Sequence, residues 1–77
     1  MTLFQAVVTR LEKLMKEKNL NANYFTKNGG IAPSTVSQVL HNGQKKIMLD
    51  LVYQFASTMD MSLKEFFDDP IFNEVTD

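Results

Sequence analysis

Apolar residues recur every three or four positions at the start of the chain. Leu3, Val7, Leu11 and Leu14 form one such series, and charged residues such as Arg10 lie between them. Because an α-helix completes a turn about every 3.6 residues, this spacing places the apolar side chains on one face. The pattern predicts a core helix over about residues 2–18.

Two shorter helices are predicted next, on either side of a glycine-marked turn. Asn21 is a residue type that caps helix N-termini, since its side-chain oxygen can accept a backbone N–H of the first turn. Gly29 and Gly30 end that helix at about residue 28, because glycine adopts positive φ without a steric penalty. Pro33 suits the first position of a new helix, where the missing N–H has no partner to lose.

The helix that begins at Pro33 has one apolar and one polar face. Val36, Val39 and Leu40 have the i, i+3, i+4 spacing of a buried face. The opposite face carries Ser34, Ser37, Gln38 and His41. Small hydroxyl and amide side chains on a helix can reach base edges in the major groove of DNA. The pattern therefore indicates a groove-binding helix.

Two further helices are predicted in the second half of the chain. The fourth covers about residues 48–59, with an inward face made of Leu49, Val52, Phe55, Ala56 and Met59. Ser62 and Glu65 have the spacing of a capping box, which predicts a short fifth helix, and Pro70 follows its end. We therefore expect one domain over residues 1–69 and a tail over residues 70–77.

The tail continues an apolar cluster that is large for a chain end. Its members could fold back onto the first helix, or they could form the two-fold interface of a homodimer. Phe66 has core spacing from Leu63, so it is assigned to the interior. Phe67, Ile71 and Phe72 are assigned to a dimer interface.

Composition excludes several kinds of site. The 77 residues suffice for one domain, and they include no cysteine and a single histidine, so a disulfide framework and a Cys–His nucleophile pair are excluded. We expect no metal, no cofactor and no enzymatic activity. The first residues lack the continuous apolar run of a signal peptide or membrane span. This favours a cytoplasmic protein that does not contact membranes.

Charge is distributed unevenly along the chain, although the net charge is only −1. Residues 1–46 hold seven cations and two anions, whereas residues 47–77 hold one cation and seven anions. Such asymmetry indicates an electropositive face for phosphate, with ordinary solvated surface charge as the alternative. Residues 42–46 form a loop with donors and no acidic group, which favours contact with phosphate.

Taken together, the residues resemble the phage-repressor/Cro-type (XRE-type, lambda-repressor-like) helix-turn-helix family over residues 11–67. The resemblance rests on Phe25, Gly30, Ile31, Ser34, Thr35, Val36, Ser37, Asn42 to Lys45, Leu49, Val52, Phe55, Ala56, Met59 and Met61 to Phe67. It implies an all-α, compact five-helix DNA-binding domain, usually dimeric, in which helices two and three form the helix-turn-helix. Thr26 and Ile47 depart from the alanine and the proline common in the family.

Side-chain chemistry suggests how such a helix would read DNA. Gln38 can pair with N6 and N7 of adenine, whereas Ser34 and Ser37 can donate to a base or a phosphate, and Pro33 can pack on a thymine methyl. Residues 33–42 contain no arginine or lysine, so bidentate recognition of guanine is not available. We predict contacts to the DNA backbone from Asn21, Lys27, Thr35, His41, Asn42, Gly43, Gln44, Lys45 and Lys46.

Two functions follow as expectations. The first is a sequence-specific transcriptional regulator of phage or bacterial type that binds double-stranded DNA as a homodimer. The alternative is a protein-interaction module, such as an antitoxin or adaptor, that uses the same fold.

Overall fold

The computed structural model of the protein describes residues 1–41 and 46–76. These residues form five α-helices and one 3-10 helix, which confirms the prediction of an all-α chain with five α-helices. The helices are α1 (Leu3–Lys18), α2 (Ala22–Gly29), α3 (Pro33–His41), α4 (Leu49–Thr58), α5 (Leu63–Phe67) and the 3-10 helix (Pro70–Glu74). The Cα radius of gyration is 11.6 Å, as expected for a compact domain of this length.

Side-chain caps fix the starts of three helices. Asn21 Oδ1 accepts the Tyr24 N–H at 3.1 Å at the start of α2, which confirms the predicted cap. The predicted capping box of Ser62 and Glu65 is also confirmed at α5. A further capping box, in which Thr2 and Gln5 exchange hydrogen bonds, opens α1. These local bonds satisfy N–H groups that have no partner within the helix.

The core lies where the five α-helices meet. Leu11, Phe25, Phe55 and Phe66 are fully buried there, and the Phe25 and Phe55 rings pack edge to face with centroids 4.9 Å apart. Gly29 lets α2 approach α4 closely, because a methyl group at residue 29 would overlap the Thr58 hydroxyl.

One residue of the predicted core is not buried. Leu49 was expected on the inward face of α4, but its side chain is 60% exposed, so this prediction is wrong. Ile47 and Leu51 are the partly buried residues that pack against the core near the start of α4. Leu49 therefore projects outward, together with Met48 and Tyr53.

The C-terminal segment packs along α1. Arg10 Nε and Nη2 donate to the backbone oxygens of Phe66 and Glu65 at 2.8 and 3.0 Å, and Nη1 lies 3.3 Å from Asp69 Oδ2. Beyond the 3-10 helix, the Thr76 N–H donates to the Met1 oxygen at 3.1 Å. The tail thus follows the first of the two predicted arrangements, in which it folds back onto the first helix.

Candidate nucleic-acid interface

The turn between α2 and α3 is built on glycine. Gly30 has a φ of 68°, in the left-handed region that favours glycine, and its N–H donates to the oxygen of Phe25. The Ile31 N–H donates to the same oxygen at 3.3 Å, and the Ile31 side chain is buried. The chain therefore reverses within a few residues, so α3 begins beside α2 at Pro33, as predicted.

One face of α3 is buried and the other is exposed, as the sequence predicts. Val36 and Val39 are buried in the core, and Leu40 is partly buried against it. The four predicted base-contacting residues are all exposed on the outer side: Pro33, Ser34, Ser37 and Gln38. Side chains three and four positions apart on a helix are neighbours, so Ser34, Ser37 and Gln38 form one continuous polar strip, and Pro33 lies one turn before Ser37.

A shallow cleft joins the outer sides of α2 and α3. Its volume is about 220 Å³, and it is lined by Ala22, Asn23, Thr26, Pro33, Val36, Ser37 and His41. This is below the roughly 300–1,000 Å³ typical of small-molecule sites. The edges of α2 and α3 thus present one nearly continuous surface, which suits an extended ligand better than an enclosed one.

The predicted backbone contacts are exposed to different degrees. Asn21 and Lys27 on or beside α2 are exposed, as are His41 and Lys46, whereas Thr35 is half-buried. The remaining predicted contacts, Asn42, Gly43, Gln44 and Lys45, lie outside the described residues. Four of the described candidates are therefore accessible to a ligand, and His41 also lines the cleft.

Sequence reasoning missed Asn23, an exposed residue in the first turn of α2. It lines the cleft together with Ser37 and His41. Helix N-termini offer unpaired N–H groups and a positive dipole end to anions, so an exposed amide there suits a phosphate contact. The signal was present in the sequence, since Asn23 and Lys27 have the i, i+4 spacing of one helix face.

Only some of the cations in residues 1–46 are near α3. Arg10 and Lys13 on α1 both pair with Asp69, and each nitrogen lies 3.3 Å from Oδ2. Lys16, on the same helix, instead lines a groove with Leu40 and His41 at the C-terminal end of α3. Lys16 is therefore a described cation beside α3, whereas Arg10 and Lys13 are engaged with Asp69.

Another lysine of α1, Lys18, interacts electrostatically with the acidic C-terminal half of the chain. The pKa of Glu65 lies below its ordinary value, chiefly because the backbone N–H and the hydroxyl of Ser62 hydrogen-bond to the carboxylate. Lys18 lies close enough to lower this pKa further. Glu65 and Asp69 thus lie near cations of α1.

The residues assigned to a dimer interface already pack partly against other residues of the same chain. Phe67 and Phe72 pack edge to face with ring centroids 4.8 Å apart, and both pack against the core. Ile71 is half-buried. Their role in dimerisation remains a prediction.

In the described ranges, no three His, Cys, Asp or Glu residues are grouped so that they could hold a metal ion. Among the helices of residues 1–41 and 46–76, none is both long enough and apolar enough to cross a membrane. Comparisons with protein-family models, curated proteins and solved structures found no match.

Proposed function

We propose that this chain is a sequence-specific DNA-binding transcriptional regulator of the lambda-repressor-like type, in which α2 and α3 form a helix-turn-helix. One observation carries the proposal: α3 is anchored by Val36 and Val39, while Ser34, Ser37 and Gln38 are exposed on its outer side. A helix held in this way can enter the major groove with its polar residues towards base edges.

The phosphate contacts would flank the recognition helix. Lys27 lies at the end of α2, Lys46 precedes α4, and Lys16 lies beside the C-terminal end of α3. Contacts to phosphate fix the position of a protein on the duplex, whereas contacts to base edges select the sequence. With two copies on adjacent half-sites, the protein would regulate transcription by occupying its operator.

Salt dependence tests the phosphate contacts. Each contact contributes a slope of about −0.9 to the dependence of log affinity on log salt concentration, so three contacts per copy give a slope of about −3. We expect Lys27→Ala to make the slope less negative by about 1 and to weaken all sequences nearly equally. Fluorescence anisotropy with labelled duplexes at several salt concentrations measures both effects.

Lys64→Ala is the matched control, because Lys64 is an exposed lysine in the acidic half of the chain. Its slope should equal that of the wild type. Wild-type protein that gained no affinity for duplex DNA at low salt would contradict the proposal.

Base reading is tested at Gln38. A bidentate contact from an amide to adenine contributes about 1–3 kcal/mol of discrimination, so Gln38→Ala should reduce the preference for the best site by that amount. Selection of bound sequences from a random duplex pool measures the preference. Gln54→Ala removes an exposed glutamine from α4 and should leave the selected sequence unchanged.

The alternative function is a protein-interaction module, such as an antitoxin or adaptor. It predicts that α3 substitutions leave DNA affinity unchanged and instead reduce binding to a protein. Equal and sequence-independent losses in Gln38→Ala and Gln54→Ala would remove the base-reading role of Gln38, whereas unchanged DNA affinity in Gln38→Ala would favour this alternative.

A further inference from the structure

The groove beside Lys16, which we call the α1–α3 groove, lies between α1, the start of α2 and the C-terminal end of α3. Its floor is apolar and consists of Met15, Leu20, Ala22 and Leu40. These side chains pack against the core but are only partly buried, so apolar surface stays open to solvent. The volume of the groove is about 390 Å³, within the roughly 300–1,000 Å³ typical of small-molecule sites. The groove can therefore hold a small ligand.

Three exposed side chains form the rim of the α1–α3 groove. Glu12 and Lys16 lie four residues apart on α1, so they are neighbours on one side of that helix. His41, at the end of α3, can donate a hydrogen bond. Among the described residues, neither Glu12 nor Lys16 belongs to an ion pair. The rim therefore offers one anion and one cation side by side.

The C-terminal tail does not fill the groove, because it packs on another side of α1. Arg10 holds the end of α5, and both Arg10 and Lys13 pair with Asp69. Successive residues of an α-helix are rotated by about 100°, so Arg10 and Lys13 point away from the side that carries Glu12 and Met15. None of residues 70–76 lines the groove. Its occupant must come from outside this part of the chain.

We propose that the α1–α3 groove binds a small zwitterion with an apolar side chain, which is the chemistry of a free apolar amino acid. At neutral pH such a molecule carries an ammonium and a carboxylate on one carbon. The ammonium pairs with Glu12, and the carboxylate pairs with Lys16 and accepts a hydrogen bond from His41. The apolar side chain then covers Met15 and Leu40 on the floor.

The two charges of the rim select this ligand over other small molecules. A purely anionic ligand is attracted by Lys16 but repelled by Glu12, and a purely cationic ligand meets the reverse. A neutral apolar molecule removes water from both charges without pairing either of them. A zwitterion pairs both, and an aromatic ring on it also gains a favourable contact with the thioether of Met15.

Such a ligand would also affect DNA binding. Lys16 is one of the three proposed phosphate contacts, so a carboxylate bound to it takes one cation away from DNA. The salt slope should then become less negative by about 1 in the presence of ligand. The effect on DNA rests on the proposed function, whereas ligand binding is measured without DNA, so the two can fail separately.

Titration of the isotope-labelled chain with L-phenylalanine, followed by NMR, tests the inference. The amide resonances of Met15, Leu20 and Leu40 should shift with a dissociation constant on the order of 1 mM, as expected for a ligand of this size. Phenylpropionate lacks the ammonium and phenylethylamine lacks the carboxylate, so each should bind at least about threefold more weakly. Glycine has both charges but no apolar side chain, and it should shift these resonances little.

Two substitutions should each change the preferred ligand. Glu12→Gln removes the anion that repels carboxylates, so phenylpropionate should bind this variant about threefold more tightly than the wild type. Lys16→Gln should do the same for phenylethylamine. Glu17→Gln is the matched control, because it changes the net charge by the same amount on α1 at an exposed residue that does not line the groove. Loss of folding cannot produce a gain of binding.

Other outcomes would overturn the inference. Resonances that do not shift at about 10 mM L-phenylalanine contradict binding. Equal affinities for the three phenyl compounds would contradict selection by Glu12 and Lys16, and equal shifts with glycine would contradict a role of the apolar floor. If the groove resonances changed instead with the concentration of the chain alone, its occupant would be a second copy.

Discussion

A Phe25→Ala substitution is expected to lower the free energy of unfolding by about 3–5 kcal/mol. Phe25 is fully buried, and its ring contacts the rings of Phe55 and Tyr24 edge to face. Removal of the ring loses buried apolar surface and leaves a cavity between α2 and α4. Domains of this size have a total stability of about 5 kcal/mol, so at most about 2 kcal/mol should remain in the variant.

Urea denaturation followed by circular dichroism at low temperature measures this loss, with sucrose added to populate the folded state. Phe25→Leu is the control, because it keeps most of the apolar volume and should cost less than about 1.5 kcal/mol. If both variants lost the same free energy of unfolding, the cavity would not be the cause of the destabilisation. The result also concerns the candidate interface, since the Phe25 oxygen accepts both N–H groups of the turn before α3.

An Arg10→Met substitution is expected to lower the free energy of unfolding by about 2–3 kcal/mol, a value typical of the loss of hydrogen bonds to a charged group. The Arg10 side chain is only 10% exposed, and it donates to the last turn of α5 and to Asp69. Methionine keeps the apolar part of the side chain but leaves two backbone oxygens without this donor. Hydrogen exchange should report the same loss at the Phe72 and Thr76 N–H groups of the tail.

Lys13→Met is the matched control for Arg10. Lys13 Nζ lies at the same 3.3 Å from Asp69 Oδ2, but its side chain is 57% exposed. Exposed ion pairs contribute about 0–1 kcal/mol, so this variant should lose far less stability. Equal losses would show that the bonds from Arg10 to the backbone contribute little.

The pKa of Asp69 also reflects its contacts with Arg10 and Lys13. It lies below its ordinary value, mainly because the Ile71 N–H donates to the carboxylate at 2.9 Å, and Lys13 and Arg10 lower it further. A depressed pKa means that the ionised form stabilises the fold, and this contribution is lost as the pH falls through the folded-state pKa. The link between α1 and the tail should therefore weaken in strong acid and stay intact at neutral pH.

Features set by neighbouring residues were predictable from the sequence. The caps at Asn21 and Ser62 depend on a side chain and an N–H three residues away, so the sequence contains both partners. The same holds for the turn at Gly30 and for the outward position of Ser34 and Ser37. These predictions need only helix periodicity and the freedom of glycine to adopt positive φ.

Features set by distant residues were not predictable in this way. The exposure of Leu49 depends on which part of α4 the other helices cover, and its spacing from Val52 is that of a buried residue. The position of Lys16 beside His41 depends on how α1 packs against α3. The sequence likewise suggested an electropositive half, but the pairing of Arg10 with Asp69 could be found only from the fold.

The bonds made by Arg10 also bear on how the chain reaches its folded state. Its acceptors lie 55 to 59 residues further along the chain. Closing so long a loop costs entropy before any contact compensates for it. On the ribosome, α1 is synthesised before α5 and the tail, so its contacts with them form only after both have emerged, and completion of this side of the molecule is a late event in folding.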